Sequence, residues 1–382
     1  MCQCVRMEID FFNRILEIDS TSGNERALAE FLAAHMSGPG RKVELSEVKS
    51  MAESAGDSGV PLNLMVSWGE PKLVFCTHLD TVPPYIRPSF HQEAFLSGES
   101  ADVKISGRGT CDAKGQIFAM WEACKELERR GYEGFALLLL AGEETGSYGA
   151  KAFSEHCQGA EWLVVGEPTD NCMASASKGT KSFEVSFTGK AFHSGYPQYG
   201  CSAVEMFGDF LNALRSIVFP QDELLGDTTW NIGRLISDNP QNILSDSLSC
   251  RLYFRTTFES DEMVCNIMKN IAGEDARLRF GQRRVQDGSD IVSKEVAPWQ
   301  KAMSVKAFGG DAPAGYEVLE GFESKPVSFG SDAPQLSGFG RKILCGPGSI
   351  LVAHRDEEHI MLFDIEKAVA NYVSIFEQVS RS

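Results

Sequence analysis

Short, solidly apolar runs alternate with longer stretches of helical periodicity over the first half of the chain. Leu73-Val74-Phe75 and Phe135 to Leu140 carry no polar residue, so each reads as a strand buried on both faces, and Trp162 to Val165 reads the same way. Val43 to Val48 and Leu62 to Trp68 alternate enough to be strands. Apolar residues at helical spacing mark helices over Glu8 to Ile18, Ile117 to Arg130 and Tyr148 to about Cys157. Ser22-Gly23-Asn24-Glu25 has the capping-box pattern that would start a further helix, to about Met36. This alternation predicts a mixed, largely parallel sheet sandwiched by helices. Pro83 and Pro84 cannot pair in a ladder, so the strand through Phe75 must end near Asp80. Ser89 to Ser106 reads as irregular.

From about Lys178 the texture changes. Lys181 to Thr188 and Leu248 to Phe254 alternate apolar with polar residues, the signature of strands with one solvated face. A helix over Ala203 to Val218, a strand over Thr229 to Ile236, a helix over Asp261 to Ile271 and a last strand over Arg277 to Phe280 complete a β-α-β-β-α-β order. That order predicts an inserted α+β, ferredoxin-like domain. After it the chain returns with a helix from Pro298 to Phe308, a glycine-rich turn at Phe329 to Asp332 and a strand ending near Cys345. Gly346-Pro347-Gly348-Ser349 follows, then a long helix from Asp356 to about Val379. The expected division is a discontinuous domain of residues 1–177 and 290–382, with the insert at 178–289.

Composition narrows the class. At 382 residues the chain suits one large domain plus a smaller one. A net charge of −17 argues against nucleic acid as a partner, since no basic stripe would offset phosphate repulsion. No apolar run approaches the roughly 20 residues of a membrane span, and the first residues lack the apolar core of a secretory signal. Eleven cysteines, an odd number without repeated spacing, favour reduced thiols in a cytoplasm.

The chemistry gathers at predicted strand ends. His78, Asp80, Asp112, Glu143, Glu144 and Glu167 all sit just after such strands, and in a parallel sheet those ends share one edge. His354 joins them if its loop lies at that edge. Two histidines and several carboxylates with no cysteine suit zinc, manganese or cobalt, and more than one ion. Carboxylates at strand ends also cap helices and pair with lysines. Glu143-Glu144 resists that reading, because adjacent acids after a fully apolar strand repel unless a cation or shared proton compensates. Gly107, Gly109 and Gly115 before a helix invite comparison with a phosphate loop. The spacing is not that of a Walker motif, however, and Asp112 would repel phosphate.

In order and spacing, six blocks resemble the co-catalytic zinc amidohydrolases that include acetylornithine deacetylase, succinyl-diaminopimelate desuccinylase, aminoacylase and carboxypeptidase G. They are His78-Leu79-Asp80-Thr81-Val82-Pro83, Gly107-Arg108-Gly109 with Asp112-Ala113-Lys114-Gly115, Glu143-Glu144-Thr145-Gly146-Ser147, Gly166-Glu167-Pro168-Thr169, His193-Ser194 and the late His354. The resemblance implies a zinc exopeptidase-like fold whose insert serves as lid and dimerisation domain, and two zinc ions per subunit that cobalt or manganese can replace. It makes Asp112 the bridge between the ions, with His78 and Glu167 on one and Glu144 and His354 on the other. Asp80 would orient His78, and Glu143 would be the base that takes a proton from the metal-bridging water. The peptide after Asp112 would be cis. His193 would donate to the oxyanion across a homodimer, and Arg255 would clamp a substrate carboxylate, supported by Asn242, Lys178 and Ser331.

The implied activity is hydrolysis of an N-acyl amino acid amide, on the acetylornithine deacetylase side, with acetylcitrulline or succinylornithine as other substrates. A dipeptidase or carboxypeptidase and a succinyl-diaminopimelate desuccinylase are the alternatives. Glu167 leans toward the deacylases, since related dipeptidases and aminopeptidases usually carry aspartate there, although carboxypeptidase G-like relatives share the glutamate. A non-catalytic protein of the same fold would have lost Glu143 or a ligand, and all are present.

Overall fold

Two helices, α1 (Ile9–Glu17) and α2 (Arg26–Met36), open the chain and are followed by β1 (Lys42–Glu47), β2 (Leu62–Trp68) and β3 (Leu73–His78). The computed structural model describes residues 7–56, 59–93, 102–156, 159–271 and 303–381. Next come β4 (Ser89–Glu93), β5 (Asp102–Ser106), α3 (Lys114–Arg129), β6 (Phe135–Leu140), α4 (Tyr148–His156) and β7 (Trp162–Val165). Then follow β8 (Met173–Ser177), β9 (Gly179–Thr188), α5 (Ala203–Arg215), β10 (Thr229–Ile236), β11 (Ser247–Thr256) and α6 (Asp261–Ile271). The last elements are β12 (Met303–Ala307), β13 (Ala314–Gly315), β14 (Ser324–Val327), β15 (Arg341–Leu344), β16 (His359–Met361) and α7 (Leu362–Val379). The chain forms two units, Met1–Ser175 with Gly315–Lys325 and Ser331–Ser382, and Ala176–Ala314 with Pro326–Gly330.

The first unit is built on a six-stranded sheet in the order β1-β2-β6-β3-β7-β15. Its centre is parallel: β3 pairs with β6 and β7, and β15 with β7, while β1 and β2 run antiparallel. All six residues of β6 are buried, which explains why its sequence has no polar face. Helix α1 buries Phe11, Phe12, Ile15 and Leu16, and the Phe12 ring stacks on Phe118 of α3 at 4.7 Å. Phe75 of β3 meets Tyr372 of α7 edge-on at 5.6 Å. Each such fully buried large side chain contributes about 1.5–3 kcal/mol. Among the described residues no helix is long and apolar enough to cross a membrane.

The second unit is one antiparallel sheet, β10-β11-β9-β12, numbered along the unit as 2-3-1-4, which is the ferredoxin-like order. Phe183, Val185 and Phe187 of β9 and Leu248, Cys250, Leu252 and Phe254 of β11 bury one face. They pack with Met206, Phe210 and Leu214 of α5 and with Val264, Met268 and Ile271 of α6.

Several local expectations change. The fourth strand of the insert is β12, where a helix over Pro298 to Phe308 was expected, because Met303 and Val305 turn the same way onto the insert core. The insert therefore runs past residue 290, to Ala314. The strand expected at Arg277 to Phe280 lies outside the described residues. Within Ser89 to Ser106, read as irregular, β4 and β5 form an antiparallel pair extended by β16. Residues 359–361 are thus strand, and the last helix starts at Leu362 rather than Asp356. The capping box does not form. The Ser22 hydroxyl donates to Asp80 Oδ2 at 2.8 Å, and Glu25 Oε2 accepts the Gly23 N–H at 2.9 Å, so neither side chain caps α2.

Candidate metal centre

His78 is the last residue of β3. The parallel register sets His78 opposite Leu140 of β6 and Cys76 opposite Val165 of β7, so three strands end almost level. Glu143 and Glu144 after β6, and Glu167 after β7, consequently leave the sheet at the edge where His78 stands. Asp112 comes from the turn before α3. His354 comes from the loop after Gly346-Pro347-Gly348-Ser349, where its backbone is held at φ 63°. For a histidine that conformation is uncommon and costs of order 1 kcal/mol, a strain that persists only where surroundings impose it.

The side chains meet as two groups joined by one carboxylate. Asp112 Oδ1 lies 2.9 Å from His78 Nε2, and Asp112 Oδ2 lies 3.2 Å from His354 Nε2. Glu144 Oε1 is 2.8 Å from the same His354 nitrogen. One donor atom each from His78, Asp112 and Glu167 falls within 4.8 Å of the others, and so does one each from Asp112, Glu144 and His354. His78, Glu143 and Glu144 form a third such group. The nitrogen and oxygen donors, with no thiolate, fit zinc and its neighbours.

Electrostatics point the same way. Burial pushes the Glu167 and Glu143 carboxyls well above their ordinary range; Glu143 keeps some surface, but its carboxyl lies in a dense shell of protein atoms. Glu144 is raised by burial as well. Burial disfavours a charged His78, but hydrogen bonds to Asp112 and Asp80 override it and raise its pKa, and the hydrogen bonds of His354 to Asp112 and Glu144 push that residue up to about 10. Asp112 is itself lowered; burial opposes the shift, and the contacts with both histidines outweigh it. In the bare protein, then, protons sit where cations would. This fits a site made to hold positive charge.

Asp80 faces the second ring nitrogen of His78 and also holds the turn after β6. The His78 Nδ1 atom is 2.9 Å from the Asp80 main-chain oxygen and 3.5 Å from its carboxylate. The buried carboxylate also accepts the N–H groups of Glu143 at 3.0 Å and Glu144 at 3.1 Å, along with the Ser22 hydroxyl. It therefore shapes the turn that carries both glutamates. The Asp112–Ala113 peptide is cis, and so is Pro83–Pro84.

Two buried residues of this region escaped the sequence reading. Glu358, fully buried, accepts backbone N–H groups from the Asp112 turn and pairs with Arg108 at 2.6 Å. In sequence it is one acid in the charged run Arg355 to Glu358; its spacing of four after His354 was the only signal. Asp332, also buried, adds negative charge near Glu143 and Glu167, whereas Ser331 beside it accepts the Ala333 N–H within its own turn at 3.3 Å.

The remaining expected residues belong to the second unit. His193 is exposed, and its Nδ1 accepts the Gly195 N–H at 3.0 Å, so the neutral ring carries its proton on Nε2 and can donate from there. Asn242 is exposed and supports this loop through its main chain, accepting the Ser194 N–H at 2.9 Å. Arg255 pairs across the sheet with Thr180, two residues from Lys178, and lies over the Tyr253 ring at 5.0 Å. Lys178 is buried and donates to the Asp227 main-chain oxygen; burial lowers its pKa, and the nearby Arg255 charge adds to that.

A carboxylate-bridged pair of nitrogen and oxygen donor groups at the carboxyl edge of an α/β sheet defines a metal-dependent hydrolase. The sequence agrees, since a family profile described as peptidase family M20/M25/M40 matches residues 74–378. The chain belongs to that family. A probable carboxypeptidase of Aspergillus niger is 31% identical over 400 residues, covering 97% of this chain and 89% of its own. A tripeptidase from Staphylococcus aureus superposes with a TM-score of 0.75 at 19% identity, covering 98% of both chains. A Bacillus subtilis protein described as a dinuclear metal binding peptidase of the M20 family gives 0.60 at 11%, covering 96% of each. At those identities the two structures show the shared fold.

Proposed function

We propose that this chain is a two-metal hydrolase that releases a free amino acid by cleaving the amide bond on its nitrogen. The observation that carries the reading is the division of Asp112, with one oxygen facing the His78 group and the other facing the His354 group. In this reading His78, Asp112 and Glu167 hold one zinc ion and Asp112, Glu144 and His354 the other, and cobalt or manganese suits the same donors. Two such cations make a water more acidic and polarise an acyl carbonyl. Glu143 takes the proton from the attacking water and returns it to the leaving amine. That assignment follows from its place beside the donors without belonging to either outer group. The Asp80 carboxylate keeps the glutamate turn in position, and the Nε2 proton of His193 is available to an oxyanion. Arg255, with Lys178 nearby, supplies positive charge for the substrate carboxylate. A homodimer formed through the second unit belongs to the same proposal.

The probable carboxypeptidase relative favours a peptide as the acyl part. The second reading is an N-acyl amino acid of the acetylornithine type; Glu167 suits it and the carboxypeptidase alike, since carboxypeptidase G-like relatives share the glutamate, whereas related dipeptidases and aminopeptidases usually carry aspartate there. Both substrates present the same amide beside a free carboxylate, so one panel separates them. Zinc-loaded and cobalt-loaded enzyme is assayed on N-acetyl and N-succinyl amino acids, dipeptides, and longer peptides with free or amidated carboxyl ends. Release of the last residue from free-ended peptides supports the carboxypeptidase reading. Cleavage confined to short N-acyl amino acids supports the deacylase, and equal cleavage of amidated ends removes both.

A further inference from the structure

A carboxylate fills the anion cradle in the glycine-containing segment that invites comparison with a phosphate loop. Three donors of the turn before α3, the N–H groups of Gly109, Cys111 and Asp112, converge on Glu358 Oε1 at 3.0, 3.1 and 3.1 Å. The other oxygen of Glu358 accepts from Arg108 Nη1 at 2.6 Å. Arg108 is tied in turn to the main-chain oxygens of Pro84 and Arg355, each at 3.2 Å, and Gly107 N–H donates to the Glu358 main-chain oxygen at 3.0 Å. Arg108 is 2% exposed and Glu358 not at all, so no solvent stands between the pair and the turn. Convergent N–H groups of this kind bind anions.

A buried ion pair is a weak source of stability, because desolvation offsets its attraction. The position of this one gives it a different use. Asp112 is gripped twice by a single five-residue stretch, at its carboxylate by His354 and at its backbone N–H by Glu358. We propose that Glu358, seated by Arg108, is a positioning residue that sets the orientation of the Asp112 carboxylate and thereby the affinity of the centre for its second ion; this rests on the reading of Asp112 as the shared ligand. Through Glu358 the turn carrying Asp112 and the loop carrying His354 move as one piece.

The test measures zinc affinity on metal-depleted full-length protein by competition with a chromophoric chelator, and stoichiometry by elemental analysis. It compares wild type with Glu358→Ala, Glu358→Gln and Asp112→Ala. Partners behind ligands typically change metal affinity by about 10–100-fold. Glu358→Ala should weaken the looser ion by that factor. Glu358→Gln, which keeps an oxygen for the three N–H groups but turns an amide toward Arg108, should lose less. Melting of the metal-free proteins provides the second readout, since a merely structural role lowers the melting temperature and leaves zinc affinity alone. Affinity within twofold of wild type in the Glu358 variants, with Asp112→Ala losing metal, overturns this inference and leaves the metal reading standing. Asp112→Ala holding two ions overturns both. Where Glu358→Ala is recovered only unfolded, Glu358→Gln decides, and unchanged affinity in it overturns the proposal.

Discussion

Replacing Glu25 with glutamine should stabilise the metal-free protein at neutral pH and do nothing for it in acid. Glu25 is fully buried behind Asp80, with Oε2 accepting the Gly23 N–H at 2.9 Å. Burial, and then the charge of Asp80, pushes its pKa from the ordinary 4.5 up to about 7. Below 4.5 the carboxyl is protonated in folded and unfolded chains alike and contributes nothing. Between 4.5 and about 7 the unfolded chain gives up its proton while the folded one keeps it, so stability falls as pH rises. Above that window the full displacement is felt, and it corresponds to about 3 kcal/mol. Glutamine fills the same space, keeps an acceptor for Gly23 and cannot ionise. The advantage of Glu25→Gln should therefore grow from near zero at about pH 4 to about 3 kcal/mol at about pH 8. Urea unfolding in chelator, followed by fluorescence, reads this directly, because the buried Trp68, Trp121 and Trp162 report on the unit that contains Glu25. A difference that stays constant with pH would show that Glu25 is ionised in the fold, and the reasoning would fail.

Three further outcomes can be checked. Glu143→Gln should keep both ions by elemental analysis while turnover falls by about 10²–10⁴-fold; wild-type turnover would remove it as the base. Arg255→Met should raise KM for substrates with a free carboxylate more than it lowers kcat, and equal KM values for free and amidated substrates in wild type would dispose of the clamp. Zinc binding should release protons, since His78 and His354 are both held in the charged form in the bare protein. Calorimetry in two buffers of different ionisation enthalpy measures that release, and a heat independent of buffer would contradict it.

The central strands were legible because a parallel strand is apolar on both faces, a pattern few other elements share, and β6 is the clearest case. His78, Glu143, Glu144 and Glu167 were legible for a related reason: strand ends gather at one edge, so these groups converge without any knowledge of side-chain packing. What stayed hidden depends on contacts distant in sequence. β12 offers only Met303, Val305 and Ala307 between polar residues, and β4 is largely polar, so neither announces a strand. Glu25 and Glu358 sit in polar segments that look solvated, and only the fold reveals that both are buried. Ser22 and Glu25 match a helix cap in spacing, yet Asp80 and Gly23 compete for them and win.

The order in which the donors occur along the chain bears on synthesis. His78, Asp112 and Glu167 all precede the second unit, whereas His354 follows it. A chain interrupted anywhere within the second unit would possess every donor of one group and lack a donor of the other. β15, which pairs with β7, and α7 would be missing with it. Occupancy of the second ion would therefore require the segment that follows the second unit, and fragments that stop short of His354 would be left with at most one ion.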